Sequence, residues 1–291
     1  MKPVIKIISS TFGKHHRQDV AVDSWLHIKK MYPDVVDIIN IQFAGEIERE
    51  NIPYPQLETK WVLSDSTITT KGTKNLPLVH QMLFWASQQC DENRDDVWFI
   101  WVNSDCIILP RMIDTIIKDK PDMKAFSRVD IHDVANFDEI LNRGAKFVRM
   151  EPAGFDAVVF NDSWYRKNQA LFENDFVIGR VLFDVYLAGI ARLFGNPKDL
   201  LGNDLPPCLV HIWHETTSHD DNVENEWNKS IVKNSNFVRL VVNIMHYHLQ
   251  FNICRRKDWG AFLQLGEKEK QFENDYFQTM NVRTENTIRK L

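Results

Sequence analysis

The chain has 291 residues, of which 44% are hydrophobic and 26% charged, and it carries a net charge of −5 at pH 7. These totals are typical of a globular protein with a sizeable core, and the negative balance argues against a nucleic-acid-binding protein. No stretch approaches eighteen consecutive apolar residues and the four cysteines are scattered, so we expect a protein without a membrane span in a reducing, cytoplasmic compartment.

Short apolar runs alternate with helical patterns through the first 125 residues. Strands are predicted at 4–10, 35–43, 61–63 and 97–102, and helices at 17–31, 78–89 and 112–118. This alternation predicts an α/β fold whose central sheet is mostly parallel and is flanked by helices.

The second half of the chain has a different pattern. It contains a strand at 153–160, a helix at 181–194 that is apolar nearly all round, a strand at 208–212 and a mostly helical tail from residue 222. No linker separates the halves. We therefore expect 1–125 and 126–235 to form one domain, with 236–291 as a helical extension packed on the same body.

The run "VWFIWV" at 97–102 is apolar on both faces, as in the middle of a parallel sheet, and it stops at Asn103-Ser104-Asp105. In an open α/β sheet, ligands bind outside the carboxyl ends of the strands. Asp105 is therefore expected in a ligand crevice. The alternative is that it caps the following helix or forms a tight turn.

Several segments in order along the chain resemble the GT-A nucleotide-sugar glycosyltransferases. Their metal motif, DxD, closes a central strand, and Asn103-Ser104-Asp105 resembles its Asn-x-Asp form. Further matching segments, spread over about 4–235, are "FGKHHRQDVAVDSWLHI", "KGTKNLPLVHQMLFWAS", "GFDAVVFNDSWY", "IGRVLFDVYLAGIARLFG" and "LVHIWHETTSHDD".

This resemblance implies a GT-A fold with a nucleotide-binding half at 1–125 and an acceptor-binding half at 126–235. The implied donor is a nucleotide-diphosphate sugar, held with Mn²⁺ or Mg²⁺, and the implied acceptor is a glycan or a lipid-linked glycan. The residues implied to bind the donor are Ser10, Thr11, Phe12, Asp65, Lys74, Asn103, Ser104 and Arg128. By the same resemblance, Asp130 lies near the donor sugar, whereas Asp156 and Trp164 lie on the acceptor side.

Asp105 is the metal ligand expected from the motif, because hard cations prefer carboxylate oxygens. His211 is a second candidate ligand, as a closing histidine is in this fold. If its segment is an extended strand, alternation sends His211 and His214 to opposite faces, whereas a turn after Trp213 allows both to reach one metal.

Asp184 is an acid near the start of an otherwise apolar helix. It is our candidate for the general base that takes the proton of the acceptor hydroxyl in an inverting transfer. The alternative is an acid placed in the first turn by the helix dipole.

Three other functions stay open from the sequence. They are a nucleotidyltransferase, a metal hydrolase built on His211, His214 and His219, and a protein that binds a nucleotide sugar without turnover. The amphipathic segment 237–257 has a basic end that suits either peripheral membrane contact or packing on its own domain. Monomer and homodimer are both compatible with the sequence.

Overall fold

The computed structural model describes residues 3–11, 15–43, 54–62, 77–88, 95–143, 147–149, 154–195, 207–214 and 223–245. Its strands are β1 (Val4–Ser9), β2 (Val36–Phe43), β3 (Glu58–Val62), β4 (Val97–Val102), β5 (Cys106–Ile108), β6 (Met123–Ser127), β7 (Val129–Ile131), β8 (Phe147–Arg149), β9 (Phe155–Asn161) and β10 (Leu209–Ile212). Its α-helices are α1 (His16–Met31), α2 (Val79–Gln88), α3 (Pro110–Asp119), α4 (Phe137–Arg143), α5 (Asp162–Lys167), α6 (Phe183–Phe194) and α7 (Val223–Asn234), and a further helix occupies 236–245.

Six strands form the central sheet in the order β3-β2-β1-β4-β9-β6. The pairs β2–β3, β1–β2 and β1–β4 are parallel, whereas β9 runs antiparallel to both of its neighbours, β4 and β6. The predicted α/β fold with a mostly parallel sheet is confirmed. One detail differs: β4 has a parallel neighbour on one side only, because the antiparallel β9 lies on the other.

Helices cover both faces of this sheet, which explains why β4 is apolar throughout. Trp98, Ile100 and Val102 pack into a core with α1 and α3, while Phe99 and Trp101 pack on the other face with α2 and α6. Every residue of β4 is buried. Burial of each such large side chain stabilises the fold by about 1.5–3 kcal/mol.

The helix at 236–245 packs on the same face as α6. Val241 lies so close to Gly189 of α6 that a methyl group on Gly189 would meet a Val241 side-chain carbon at 2.5 Å. Residues 246–291, the rest of the predicted extension, lie outside the described residues.

A second sheet, in the order β5-β10-β7-β8, lies beyond the carboxyl end of β4. Its central strand β10 pairs antiparallel with β5 and parallel with β7, which sets His211 opposite both Cys106 and Asp130. This small sheet brings His211, which is 106 positions further along the chain, to the Asp105 turn.

The sequence-based boundaries differ from the structure mainly at the sheet edge. The third strand was predicted at 61–63, but β3 begins at Glu58. Polar side chains of Glu58, Thr59 and Lys60 concealed an edge strand, where charged residues are common. In the described part of the chain, each helix is too short or too polar to cross a bilayer.

Candidate active site

A tight turn at the end of β4 carries Asp105. The Cys106 N–H donates to the Asn103 carbonyl at 3.1 Å, and the Asn103 N–H donates to the Asp156 carbonyl at 2.9 Å. The turn thus connects β4 to β5 and is fastened to β9. The two interpretations of Asp105 are compatible, since the residue lies in a turn and its side chain stays partly exposed.

Asp105, His211 and His214 converge at this turn. Asp105 Oδ2 lies 3.3 Å from His211 Nε2 and 3.8 Å from His214 Nε2. One potential ligand atom from each residue lies within 4.8 Å of the other two. The strand ends at Ile212, and the chain beyond it brings His214 to the same carboxylate as His211. Of the two arrangements considered from the sequence, the structure has the one in which both histidines can reach one metal.

The His211 ring is oriented by Asp130. Its Nδ1 lies 2.9 Å from Asp130 Oδ1, so that the N–H at this position donates to the carboxylate and Nε2 faces Asp105. A carboxylate behind a histidine in this way is the usual arrangement for a metal-ligating imidazole. Burial lowers the pKa of His211, but the hydrogen bonds to Asp105 and Asp130 outweigh burial and raise it.

Asp105 is held ionised. Burial alone would raise the pKa of its carboxyl, but hydrogen bonds from His211 and His214 outweigh burial and hold the pKa well below its usual range. The side chain stays partly exposed, at 27%. A cation bound beside Asp105 would therefore meet a negative ligand at neutral pH.

The donor set of these three residues fits a divalent transition metal. One carboxylate oxygen and two imidazole nitrogens suit Mn²⁺ or Zn²⁺ better than Mg²⁺, which prefers oxygen ligands and bound waters.

Arg128 lies between two buried carboxylates. Its Nε is 3.2 Å from Asp130 Oδ1, and its Nη1 is 3.1 Å from Asp156 Oδ2. Arg128 was expected from the sequence to bind the donor. The structure places it inside the site, with its charge shared between Asp130 and Asp156, so it connects the metal cluster to β9.

Asp156 and Asp184 form a second acidic group beside the metal cluster. Asp156 lies on β9, and Asp184 lies in the first turn of α6. Burial, and then the negative charge of Asp156, raises the pKa of Asp184 to about 7. Burial also raises the pKa of Asp156, although Arg128 opposes the shift. Asp184 is thus a carboxyl poised to exchange a proton near neutral pH.

The end of β1 lies at the same edge of the sheet, because β1 and β4 are parallel neighbours. Thr11 is buried, and both its N–H and its hydroxyl donate to Asn40 Oδ1, at 3.1 and 3.0 Å. Ser10, just before it, is partly exposed, and Ser104 is buried in the Asp105 turn.

Several sequence-based candidates fall elsewhere. Phe12, Asp65, Lys74 and His219 lie outside the described residues. Trp164 was expected on the acceptor side, but it follows the far end of β9, where Asn161 pairs with Trp98 at the start of β4. Because β9 is antiparallel to β4, Trp164 lies at the opposite edge of the sheet from Asp105.

Sequence reasoning did not find that Asp130 orients His211. The two residues are 81 positions apart and meet only because β7 pairs with β10. Asp156, by contrast, was named from the resemblance, and it is an acid inside the apolar run "FDAVVFN".

Among known proteins, similarity to this chain was found only in solved structures. No protein-family model and no curated protein sequence matches the chain. The mannosyltransferase PcManGT from Pyrobaculum calidifontis, in complex with GDP-Man and Mn²⁺, is 11% identical with a TM-score of 0.41, over 98% of this chain and 86% of that chain. S. aureus TarS is 10% identical with a TM-score of 0.42, over 92% of this chain and 46% of that chain. The galactosyltransferase LgtC, in complex with donor and acceptor sugar analogs, is 12% identical with a TM-score of 0.33, over 79% of this chain and 96% of that chain.

Likenesses with identities of 10–12% and TM-scores of 0.33–0.42 carry no argument about the fold or the activity of this chain.

Proposed function

We propose that the chain is a GT-A nucleotide-sugar glycosyltransferase that moves a sugar from a nucleotide-diphosphate donor to a hydroxyl of a glycan or lipid-linked glycan. The observation that carries the proposal is the meeting of Asp105, His211 and His214 at the carboxyl edge of the sheet, next to the carboxyl pair of Asp156 and Asp184. The first group suits a cation, and the second suits proton transfer.

Asp105, His211 and His214 would hold the cation, and we favour Mn²⁺ over Mg²⁺ because two of the three ligands are imidazoles. A bound divalent ion neutralises the charge that develops on a diphosphate leaving group. Asp130 accepts a hydrogen bond from the Nδ1–H of His211, so that Nε2, on the side of Asp105, would be the nitrogen that binds the metal.

The nucleotide is proposed to bind along the ends of β1 and β4. Ser10 follows β1, and Asn103 and Ser104 follow β4, so these three lie at the edge that Asp105 shares. Thr11, which is buried and bonded to Asn40, would fix the end of β1 in place. Phe12, Asp65 and Lys74 remain proposals for the same ligand. Arg128 adds positive charge behind the site, where it favours the diphosphate without losing its two carboxylate partners.

Asp184 is proposed as the general base. Its ionised carboxylate accepts the proton of the acceptor hydroxyl while the oxygen attacks the anomeric carbon. The bond from that carbon to the diphosphate oxygen breaks, and the nucleoside diphosphate leaves with the bonding electron pair. Because attack and departure occur on opposite faces, the anomeric configuration inverts.

A metal hydrolase is the second candidate function. Two histidines and one carboxylate are also a ligand set of zinc hydrolases, which keep one metal position open for water. The two functions differ in their ligands. A transferase of the proposed type binds a nucleoside diphosphate more tightly with Mn²⁺, whereas a zinc hydrolase has no such requirement.

A thermal-shift screen separates these candidates. UDP-, GDP-, CMP- and dTDP-sugars are each tested with and without Mn²⁺ or Mg²⁺, because a ligand that binds the folded state raises the Tm. We expect one nucleotide class to raise the Tm only when the metal is present. Stabilisation by Zn²⁺ alone, with no response to any nucleotide, would favour the hydrolase.

A further inference from the structure

The backbone of Gly154 lies beside the carboxylates of Asp156 and Asp184. A Cβ atom added to Gly154 would lie 3.2 Å from Asp156 Oδ2 and 3.9 Å from Asp184 Oδ2. The two carboxylates therefore converge on one point from two different elements, β9 and α6. Because Gly154 has no side chain, no Cβ atom occupies that point, and we call this position between the two carboxylates the gap.

Asp156 Oδ2 has hydrogen-bonding capacity left over. Asp156 is 6% exposed, and among the described residues no group donates a hydrogen bond to this oxygen. Arg128 Nη1 lies 3.1 Å away as an ion-pair partner, but its N–H is not aligned to donate. The other oxygen, Oδ1, already accepts from the Asn103 amide. A buried carboxylate oxygen without a donor is costly unless a ligand supplies one.

We infer that Asp156 and Asp184 bind two adjacent hydroxyls of the acceptor, a vicinal diol of a sugar, in the gap beside Gly154. One hydroxyl donates to Asp184, loses its proton to that carboxylate and becomes bonded to the donor sugar. The neighbouring hydroxyl donates to Asp156 and positions the first.

The same geometry selects the chemical class of the acceptor. Two carboxylates that face one gap repel an anionic nucleophile such as a lipid phosphate. An acceptor with a single hydroxyl would leave the Asp156 oxygen without a donor. A glycan with adjacent hydroxyls satisfies both carboxylates. This inference rests on the proposed function, because it uses Asp184 as the base.

The test measures release of nucleoside diphosphate from the donor found in the thermal-shift screen, with added acceptors as probes. The probes are methyl glycosides of common hexoses, n-octanol and a polyprenyl phosphate. We expect at least one glycoside to accelerate release in the wild-type protein. The deoxy analogue of that glycoside, which lacks the neighbouring hydroxyl, should be used roughly 10- to 100-fold less efficiently.

Two variants test whether Gly154 and Asp156 produce this preference for the glycoside. Gly154→Ala places a methyl group against Asp156 Oδ2, so the glycoside-stimulated rate should fall at least roughly 10-fold while Mn²⁺-dependent nucleotide binding persists. In Asp156→Asn, the glycoside and its deoxy analogue should be used almost equally, because the carboxylate that tells them apart is gone. This loss of discrimination is a readout that general damage to the fold would not produce.

Acceleration by n-octanol or polyprenyl phosphate and by no glycoside would overturn the inference. A wild-type rate in Gly154→Ala would do the same, as would an unchanged preference for the diol in Asp156→Asn. These failures differ from a failure of the proposed function itself. In that case, no nucleotide would bind with metal and no nucleoside diphosphate would be released with any probe.

Discussion

Asn103 donates a hydrogen bond from its side-chain amide to Asp156 Oδ1, so the turn that carries Asp105 is tied to β9, the strand that carries Asp156. The resembling glycosyltransferase motif has an acid as its first residue, and here that position is an amide. At this contact an amide can donate a hydrogen bond, which an ionised carboxylate could not do. A carboxylate at position 103 would face the buried carboxylate of Asp156, and two like charges at such a distance cannot both stay ionised without a large cost.

Asn103→Asp is therefore expected to weaken the site and not to add a metal ligand. The new carboxyl raises the pKa of the pair in the folded state, so its destabilising effect grows as pH rises. We expect a loss of about 2 kcal/mol in the free energy of unfolding at pH 8 and a smaller loss at pH 5, as measured by urea denaturation. Asn103→Ala, which removes the bond without adding charge, is the control. Tighter Mn²⁺ binding by Asn103→Asp would contradict this account.

Asp130→Asn tests how His211 is oriented. Without the carboxylate behind Nδ1, the ring loses its fixed tautomer and direction, and we expect Mn²⁺ affinity to fall by about 10- to 100-fold. Titration of free Mn²⁺ by electron paramagnetic resonance measures this directly. Asp133→Asn is the matched control, since Asp133 is only three residues away but its side chain is 74% exposed. Equal affinities in the two variants would show that Asp130 does not support the metal site.

The pH dependence of transfer should follow Asp184. The base must be ionised, and burial and Asp156 raise the pKa of Asp184 to about 7. The transfer rate in the wild-type protein is therefore expected to fall about tenfold for each pH unit below about pH 7 and to level off above it. Asp184→Asn should lose transfer at every pH and keep donor binding. Transfer by this variant at the wild-type rate would remove Asp184 as the base.

Asp184 should also lower the free energy of unfolding at neutral pH. Its pKa is raised in the folded state from an ordinary value of 3.8, so the wild-type protein loses stability as the pH rises from about 4 to about 7. Asp184→Asn lacks this loss, and we expect its gain in unfolding free energy over wild type to be larger at pH 8 than at pH 5. Solvent around the partly exposed side chain limits the difference to about 1–2 kcal/mol. A gain that is the same at both pH values would mean that Asp184 is not held at a raised pKa.

Local pattern was enough to predict most strands of the central sheet. The run at 97–102 is β4 with the predicted bounds, because a strand buried on both faces needs apolar residues at every position. The same logic fails for β5 and β7, which have three residues each and owe their existence to pairing with β10. Strands this short have too few residues to show a period.

For the candidate site, the sequence could predict single residues near the ends of strands and helices. Asp105 lies in the turn just after β4, and Asp184 stands out in an apolar helix, so both could be chosen from the sequence. The residues that contact them in the site could not be predicted from the sequence. Asp130 meets His211, and Arg128 meets Asp156, through pairings across long separations in the chain. Alternation also could not say which face His214 takes, because the strand ends at Ile212 and the chain no longer alternates.

The most direct test of the central claim is a calorimetric titration with the nucleoside diphosphate chosen by the thermal-shift screen, with and without Mn²⁺. Wild type and Asp105→Ala are compared, with Asp133→Ala as the control. We expect Mn²⁺ to tighten binding at least about tenfold, which is about 1.4 kcal/mol, in wild type and the control, and to have no effect in Asp105→Ala. Equal affinity with and without Mn²⁺ in wild type, or the same Mn²⁺ effect in Asp105→Ala, would contradict a metal-assisted nucleotide-sugar site at Asp105.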